Sequence, residues 1–183
     1  ELEQEVAETK GVTVFRGEGA FVDAHTLDIR MNDGGAQRIT ADRIVIATGA
    51  RTRVPDIPGL EEAGYVTSES FFADKFPEKP YESLLIIGGG STALEIAHIF
   101  AAFGSKVTLA VRSETMLRGL DGDIAPFVKK QLEDVGIRVL YFAGAQKVSA
   151  GDGQKTVTFQ DANTGETYDI TAQELFLAPG IVP

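Results

Sequence analysis

Residues 84 to 97 read LLIIGGGSTALEIA: an unbroken apolar run, three consecutive glycines, then a stretch with helical periodicity. Four apolar residues without alternation suit a parallel strand covered on both faces, and glycines directly after it mark a sharp turn into a helix. Downstream, Ala93, Ile96, Ala97, Phe100 and Ala101 fall on one helical stripe that Gly104 is placed to end. "KVTLAV" supplies a second strand. Ile124, Phe127, Val128, Leu132 and Val135 make the next stripe, with Asp123 as N-cap, Pro126 in the first turn and Gly136 as terminator. "IRVLYF" is a third strand. Strand and helix alternating from Leu84 to Leu140 predict an α/β fold around a parallel sheet.

The flanking segments follow a different rule. Before the α/β core, "VTVF", "AFV" and "TLDIR", the turn "NDGG" and then "ITADRIVIATGA" read as an antiparallel meander feeding a last, buried strand. After it come "QKVSA", the turn "GDG", "KTVTFQ", the turn "ANTG", "TYDIT" and a closing "ELFLAPG". "RTRVPDIPGL" reads as a linker or crossover and "FPEKPYE" as a second break. "ITADRIVIATGA" from Ile39 and "ITAQELFLAPGI" from Ile170 share Ile-Thr-Ala, three apolar residues and Ala-x-Gly, and each follows a meander. Duplication is the reading this favours. The second copy carries a glycine-rich turn upstream and the first does not, so the expected parent has two dinucleotide-binding units. The polar opening "ELEQEVAETKG", resembling the end of a helix, suggests a piece of a longer chain.

Gly88-Gly89-Gly90-Ser91-Thr92-Ala93 fits the pattern G-x-G-x-x-G/A. A glycine cluster also suits any strand-to-helix turn, but here it follows a buried strand and opens a helix, the context in which the pattern binds a dinucleotide. Gly88 would make the turn, Gly90 would let the backbone approach a pyrophosphate, and Ala93 would pack the helix on the strand. The free N–H groups at Ser91 and Thr92 would face the phosphates. Specificity for NADH requires an acid about 20 residues later, to accept the ribose 2′-OH. Val111, Arg112 and Arg118 stand there instead, with Glu114 the acid available for the opposite reading. Two guanidiniums favour a 2′-phosphate, so NADPH is expected over NADH.

Composition removes other partners. Acidic residues outnumber basic ones 27 to 17, for a net charge of −10, and the basic residues are dispersed. Such a surface repels nucleic acid and anionic membranes. With no long apolar run and no signal-like N-terminus, a cytoplasmic protein is expected. The chain has no cysteine and two separated histidines, His25 and His98, so no metal site is expected within it.

The ordered set "IVIATGA", "IPGL", "GYVTS", "LLIIGGGSTALEIAHIFAAFGSKVTLAVR" and "LAPGIVP" resembles the flavin-dependent pyridine nucleotide–disulfide oxidoreductases, the class of glutathione, mycothione and mercuric reductases and dihydrolipoamide dehydrogenase. "GYVTS" and "AHIFAAFGSKVTLAVR" look closest to the mercuric and mycothione branches. The resemblance implies a Rossmann-like dinucleotide-binding domain with an antiparallel meander, plus part of a second, FAD-binding unit. It implies residues 1–53 as the back of the FAD domain, 54–178 as the NAD(P)H domain and 179–183 as a return into the FAD domain. Thr48 and Gly49 would touch FAD. Gly180 would lie by the nicotinamide nucleotide, and Glu95 near nicotinamide and flavin, unless it is an ordinary exposed carboxylate. Hydride would pass from NADPH to FAD and on to a disulfide or metal-ion substrate, in a homodimer formed through a domain outside these residues. Two departures stand out: Ser91 occupies a position where the family usually has Tyr, Phe or Val, and Pro179 replaces the usual Thr. A flavin NAD(P)H oxidase or ferredoxin-reductase type, and an NAD(P)-sensing module without turnover, fit the same motifs.

Overall fold

The computed structural model describes residues 2–183 and separates into two compact units, Glu1–Thr48 and Gly49–Pro183. The first unit opens with helix α1, Leu2–Glu8, followed by three strands: β1, Gly17–Asp23; β2, Thr26–Met31; and β3, Ala36–Thr40. They form an antiparallel sheet in that order. Cross-strand ion pairs dress it: Arg30 pairs with Glu18, and Arg38 grips both Asp28 carboxylate oxygens at 2.6 and 2.7 Å. The side chain of Ile29 is the one buried apolar group described in this unit.

The second unit begins with β4, Arg51–Thr52, α2, Leu60–Ala63, β5, Val66–Thr67, and α3, Ser68–Ala73. The α/β core follows as β6, Ser83–Ile87, α4, Ser91–Ala102, β7, Lys106–Ala110, α5, Ile124–Asp134, and β8, Arg138–Leu140. A meander then runs through β9, Ala143–Gly151, β10, Gln154–Asp161, and β11, Thr167–Ala172. β12, Glu174–Leu177, and β13, Ile181–Val182, close the chain. The main sheet is parallel, in the order β5-β12-β6-β7-β8.

The apolar run of β6 now has its reason. Successive side chains of a strand point to opposite faces. Leu84 and Ile86 therefore join one core with Ala93, Ile96, Ala97 and Phe100 of α4, while Leu85 and Ile87 join another with Val148, Val157 and Phe159 of the meander. β12 divides the same way: Phe176 packs on the helical side, Leu175 and Leu177 on the meander side. Each fully buried side chain of this size contributes about 1.5–3 kcal/mol, so a strand covered on both faces is held far more firmly than a half-covered one.

Several expectations need correction. Residues 12–15 ("VTVF") are not a strand. "RIVIATGA" is not a buried strand: Val45 is 86% and Ile46 71% exposed, and no described strand pairs with them, so their backbone has no ladder to join. "RTRVPDIPGL" is more than a linker. It carries β4, Leu60 is buried beneath the meander, and Pro58 O accepts a hydrogen bond from Val148 N at 2.8 Å. Gly59, at φ 82°, sits so close that a Cβ would lie 2.0 Å from Val148 O. On α5 the apolar stripe is only partly inside: Leu132 is buried and Ile124 and Val128 are half-buried, but Phe127 and Val135 are exposed. Asp123 occupies the N-cap position without a side-chain capping bond, because its backbone is already in the right-handed helical region. Gly104 and Gly136 both take positive φ just past their helices, as terminating glycines do.

Candidate functional site

The glycine turn joins β6 to α4 at the C-terminal edge of the parallel sheet, the edge at which open α/β sheets bind ligands. Its three glycines have three separate causes. Gly88 has φ 148°, donates its N–H to Ala110 O at 3.0 Å, and lies so close to β12 that a Cβ would sit 2.2 Å from Ala178 O. Gly89 backs onto β7, where a Cβ would meet Val111 Cγ1 at 2.8 Å and the Met116 Cα at 3.5 Å. Gly90 is different. Its φ of −90° is open to any residue, it is exposed, and a Cβ there would meet nothing within 4 Å. Only at Gly90, therefore, does the fold itself not demand glycine, and the missing side chain leaves bare backbone facing open space.

Gly90 is also the N-cap of α4 and provides no side-chain capping bond. The first backbone bond of the helix runs from Leu94 N to Gly90 O at 3.2 Å, so the N–H groups of Ser91, Thr92 and Ala93 have no partner within the helix. Ser91 and Thr92 are exposed; Ala93 is fully buried against the sheet. Glu95, one turn further along, is exposed, and His98 shares that outer flank.

The segment after β7 returns to the same turn. Val111 is fixed by its N–H to Leu140 O at 2.8 Å and by its carbonyl accepting from Ala143 N at 3.0 Å. Arg112 and Arg118 are both exposed, and neither guanidinium meets an acidic or hydrogen-bonding partner among the described residues. Glu114 is exposed on the same segment. What sequence reasoning missed is the tie between them: Leu117 donates its N–H to Gly89 O at 2.7 Å. Its signal was faint, an apolar Met-Leu pair inside a polar loop.

Two other marked positions lie apart from this turn. Thr48 ends the first unit and Gly49 begins the second, with Gly49 exposed at φ 76°. Gly180 takes φ 114°, and its carbonyl accepts from Arg53 N at 2.9 Å where β13 pairs with β4. Both Ala-x-Gly glycines are thus left-handed, so Pro179 has not displaced that geometry. His25 is engaged in its hairpin, with Nδ1 3.1 Å from Ala41 O. Among the described residues no three metal-ligating side chains gather, and no helix is long and apolar enough to cross a membrane.

Two concavities occur elsewhere. One of about 640 Å³ runs over the open face of the β1–β3 sheet beside the Asp28–Arg38 pair, and one of about 320 Å³ is lined by Thr52, Glu69 and Lys75. The second is knitted by internal bonds, Glu69 accepting from Thr52 N at 2.7 Å and Lys75 donating to Tyr65 O at 2.8 Å. Neither contains the glycine turn.

Residues 1–183 match the family model described as pyridine nucleotide-disulphide oxidoreductase. The chain is 36% identical over 173 residues to a mercuric reductase of Acidithiobacillus ferrooxidans, covering 94% of this chain and 30% of that protein. It is 31% identical over 173 residues to a dihydrolipoyl dehydrogenase of Mycobacterium tuberculosis, covering 94% and 36%. Among solved structures, the Cu(II) complex of the HOCl-induced flavoprotein disulfide reductase RclA from Escherichia coli aligns with a TM-score of 0.77 at 29% identity, over 99% of this chain and 39% of that one. The chain thus spans about a third of the length of these relatives.

Proposed function

The chain belongs to the pyridine nucleotide-disulphide oxidoreductase family, and from that premise we propose that it is the NADPH-binding portion, with part of the FAD-binding portion, of a flavoprotein disulfide reductase-type enzyme. The observation that carries this reading is a pairing: bare, exposed backbone at Gly90 at the head of α4, and two exposed arginines without acidic partners at the end of β7. When bound, the nicotinamide and flavin cofactors supply the hydride chemistry that ends on a disulfide or metal-ion substrate.

The chain's own residues bind and orient. The unpartnered N–H groups of Ser91, Thr92 and Ala93 suit a pyrophosphate, which the absence of a Cβ on Gly90 admits to hydrogen-bonding distance. Val111 offers no acceptor for a ribose 2′-OH, whereas Arg112 and Arg118 offer charge-assisted donors to a 2′-phosphate. Glu95 stands on the exposed flank of α4, one turn from the glycines, where the nicotinamide end would lie. Thr48 and Gly49 are the residues proposed for FAD. The left-handed Gly49 exposes backbone that no Cβ crowds, as a phosphate or flavin edge would need. The assembled enzyme is proposed to be a cytoplasmic homodimer joined outside these residues.

Titrating NADPH and NADH calorimetrically into the chain and into an Arg112→Ala, Arg118→Ala double variant tests the nucleotide assignment. A charge-assisted hydrogen bond contributes roughly 1.5–3 kcal/mol, so one good contact gives about tenfold discrimination. NADPH should bind at least about tenfold tighter than NADH, with a preference that added salt reduces and the double variant abolishes. Equal wild-type affinities, or a double variant that loses both nucleotides alike, would overturn the assignment.

A further inference from the structure

Leucine rarely adopts a left-handed backbone, because its Cβ crowds the following carbonyl. Leu117 does so here, at φ 51°, and its N–H donates to Gly89 O at 2.7 Å. Immediately before it, Met116 is buried to 1% exposure against the glycine turn, and the Leu117 side chain packs on the edge of the same core. Immediately after it, Leu120 N donates to Leu117 O at 3.2 Å, which turns the chain back. The loop is therefore held beside Arg112 by Phe142, whose N–H donates to Ser113 O at 3.2 Å, and beside Arg118 by the middle glycine of the turn.

The other arginine begins from an equivalent place. Val111 meets Gly89 from just past β7, and Arg112 follows it; Leu117 bonds to Gly89 from the loop, and Arg118 follows it. Each arginine thus starts one residue beyond a contact with Gly89. A glycine that the G-x-G-x-x-G/A pattern leaves undefined is the common reference for both guanidiniums, while its neighbour Gly90 stays clear for the phosphates.

We propose that Leu117 is a positioning residue for nucleotide choice: its left-handed conformation and its bond to Gly89 hold Arg118 where, with Arg112, it meets the ribose 2′-phosphate. This rests on the NADPH reading given above. Left-handed backbone strain at a non-glycine residue persists only where the surroundings enforce it, and such strain gathers at ligand clamps. An unpinned loop would let Arg118 wander over the exposed surface, and the preference for the phosphorylated nucleotide would fall while the glycine turn kept its grip on the part common to both.

A series at one position provides the test. Leu117→Pro removes the N–H and fixes φ near −65°. Leu117→Val keeps the N–H but penalises the left-handed region more severely, whereas Leu117→Asn and Leu117→Gly favour that region and keep the bond. Calorimetric titration with NADPH and NADH should give a wild-type preference that is retained in the Asn and Gly variants. It should fall about threefold in the Val variant and about tenfold in the Pro variant, with NADH affinity unchanged throughout. The Val, Asn and Gly variants decide the matter even if the Pro variant does not fold. A Val variant with the wild-type ratio overturns the proposal, as does equal loss of both nucleotides, which would make Leu117 a structural support of the turn. A wild-type chain without any NADPH preference would instead overturn the nucleotide reading itself, and this proposal with it.

Discussion

The segments from Ile39 and from Ile170 carry the same pattern and meet opposite fates. In the second, Leu175, Phe176 and Leu177 lie between β5 and β6 with 0–1% exposure. In the first, Ile44 is half-buried and Val45 and Ile46 stand in solvent without strand pairing among the described residues. Local sequence cannot explain the difference, since both copies offer three apolar residues before Ala-x-Gly. Neighbours can. β12 finds an open edge on β6 and covers on both faces, whereas the first copy finds neither among the described residues. Burial here is a property of the slot, and the strand pattern only makes a segment eligible for one.

Matched substitutions break this comparison most sharply. Phe176 and Val45 occupy the same place in the two copies. Phe176→Asp buries a carboxylate without a partner, at a cost expected to exceed about 4 kcal/mol, and should abolish the cooperative unfolding of the second unit. Val45→Asp, on an exposed residue, should leave the unfolding free energy within about 0.5 kcal/mol of wild type. Equal effects in calorimetry would mean that the exposed copy is buried in solution.

A smaller effect is expected where β12 begins. Lys155 of β10 pairs with Glu174, whose carboxylate also accepts from Leu175 N at 2.9 Å; the two side chains are 15% and 18% exposed. The corresponding residue of the first copy, Arg43, is exposed. Lys155→Met leaves the half-buried carboxylate without its cation and should destabilise the second unit by about 1–3 kcal/mol, read from denaturant midpoints. Arg43→Met should change little. If the two variants behave alike, the ion pair does not help seat β12.

The smallest effect belongs to the solvent-facing sheet of the first unit. The hydrogen bonds from Arg38 hold Asp28 below its ordinary carboxylate value of 3.8. A depressed folded value means that the pair's stabilisation is complete above the ordinary value and is lost as pH falls through the lowered one. Carboxyl NMR titration should place the Asp28 midpoint below that of a free aspartate, and Arg38→Ala should return it toward 3.8. Stability of the unit should barely move, because both side chains are well exposed to solvent.

Much of the second unit was legible in the sequence because its signals are local. The run LLII, the glycine turn, the α4 stripe from Ala93 to Phe100 and the terminators Gly104 and Gly136 each act within a few residues, and each stands where expected. So do the meander turns, with Asp152 and Gly153 both at positive φ between β9 and β10. The resemblance to a known family was equally readable, since ordered motifs survive without any knowledge of packing. The α5 stripe held for Ile124, Val128 and Leu132 and failed at Phe127 and Val135, because periodicity reports a face and not what covers it.

What the tertiary structure alone decided are the close approaches between segments distant in sequence. Gly59 is required by the carbonyl of Val148, Gly88 by that of Ala178, and Gly89 by the side chain of Val111. Leu117 is held left-handed at the end of a bond to Gly89. None of these partners could be known from spacing, because each depends on which distant segments the fold brings side by side. The sequence determined which segments could become strand, turn and helix. Which of two like segments would be buried, and which of three glycines would stay open at the head of α4, depended on the edges and faces that the assembled sheet had to offer, since backbone pairing and apolar burial are both satisfied only by a neighbour.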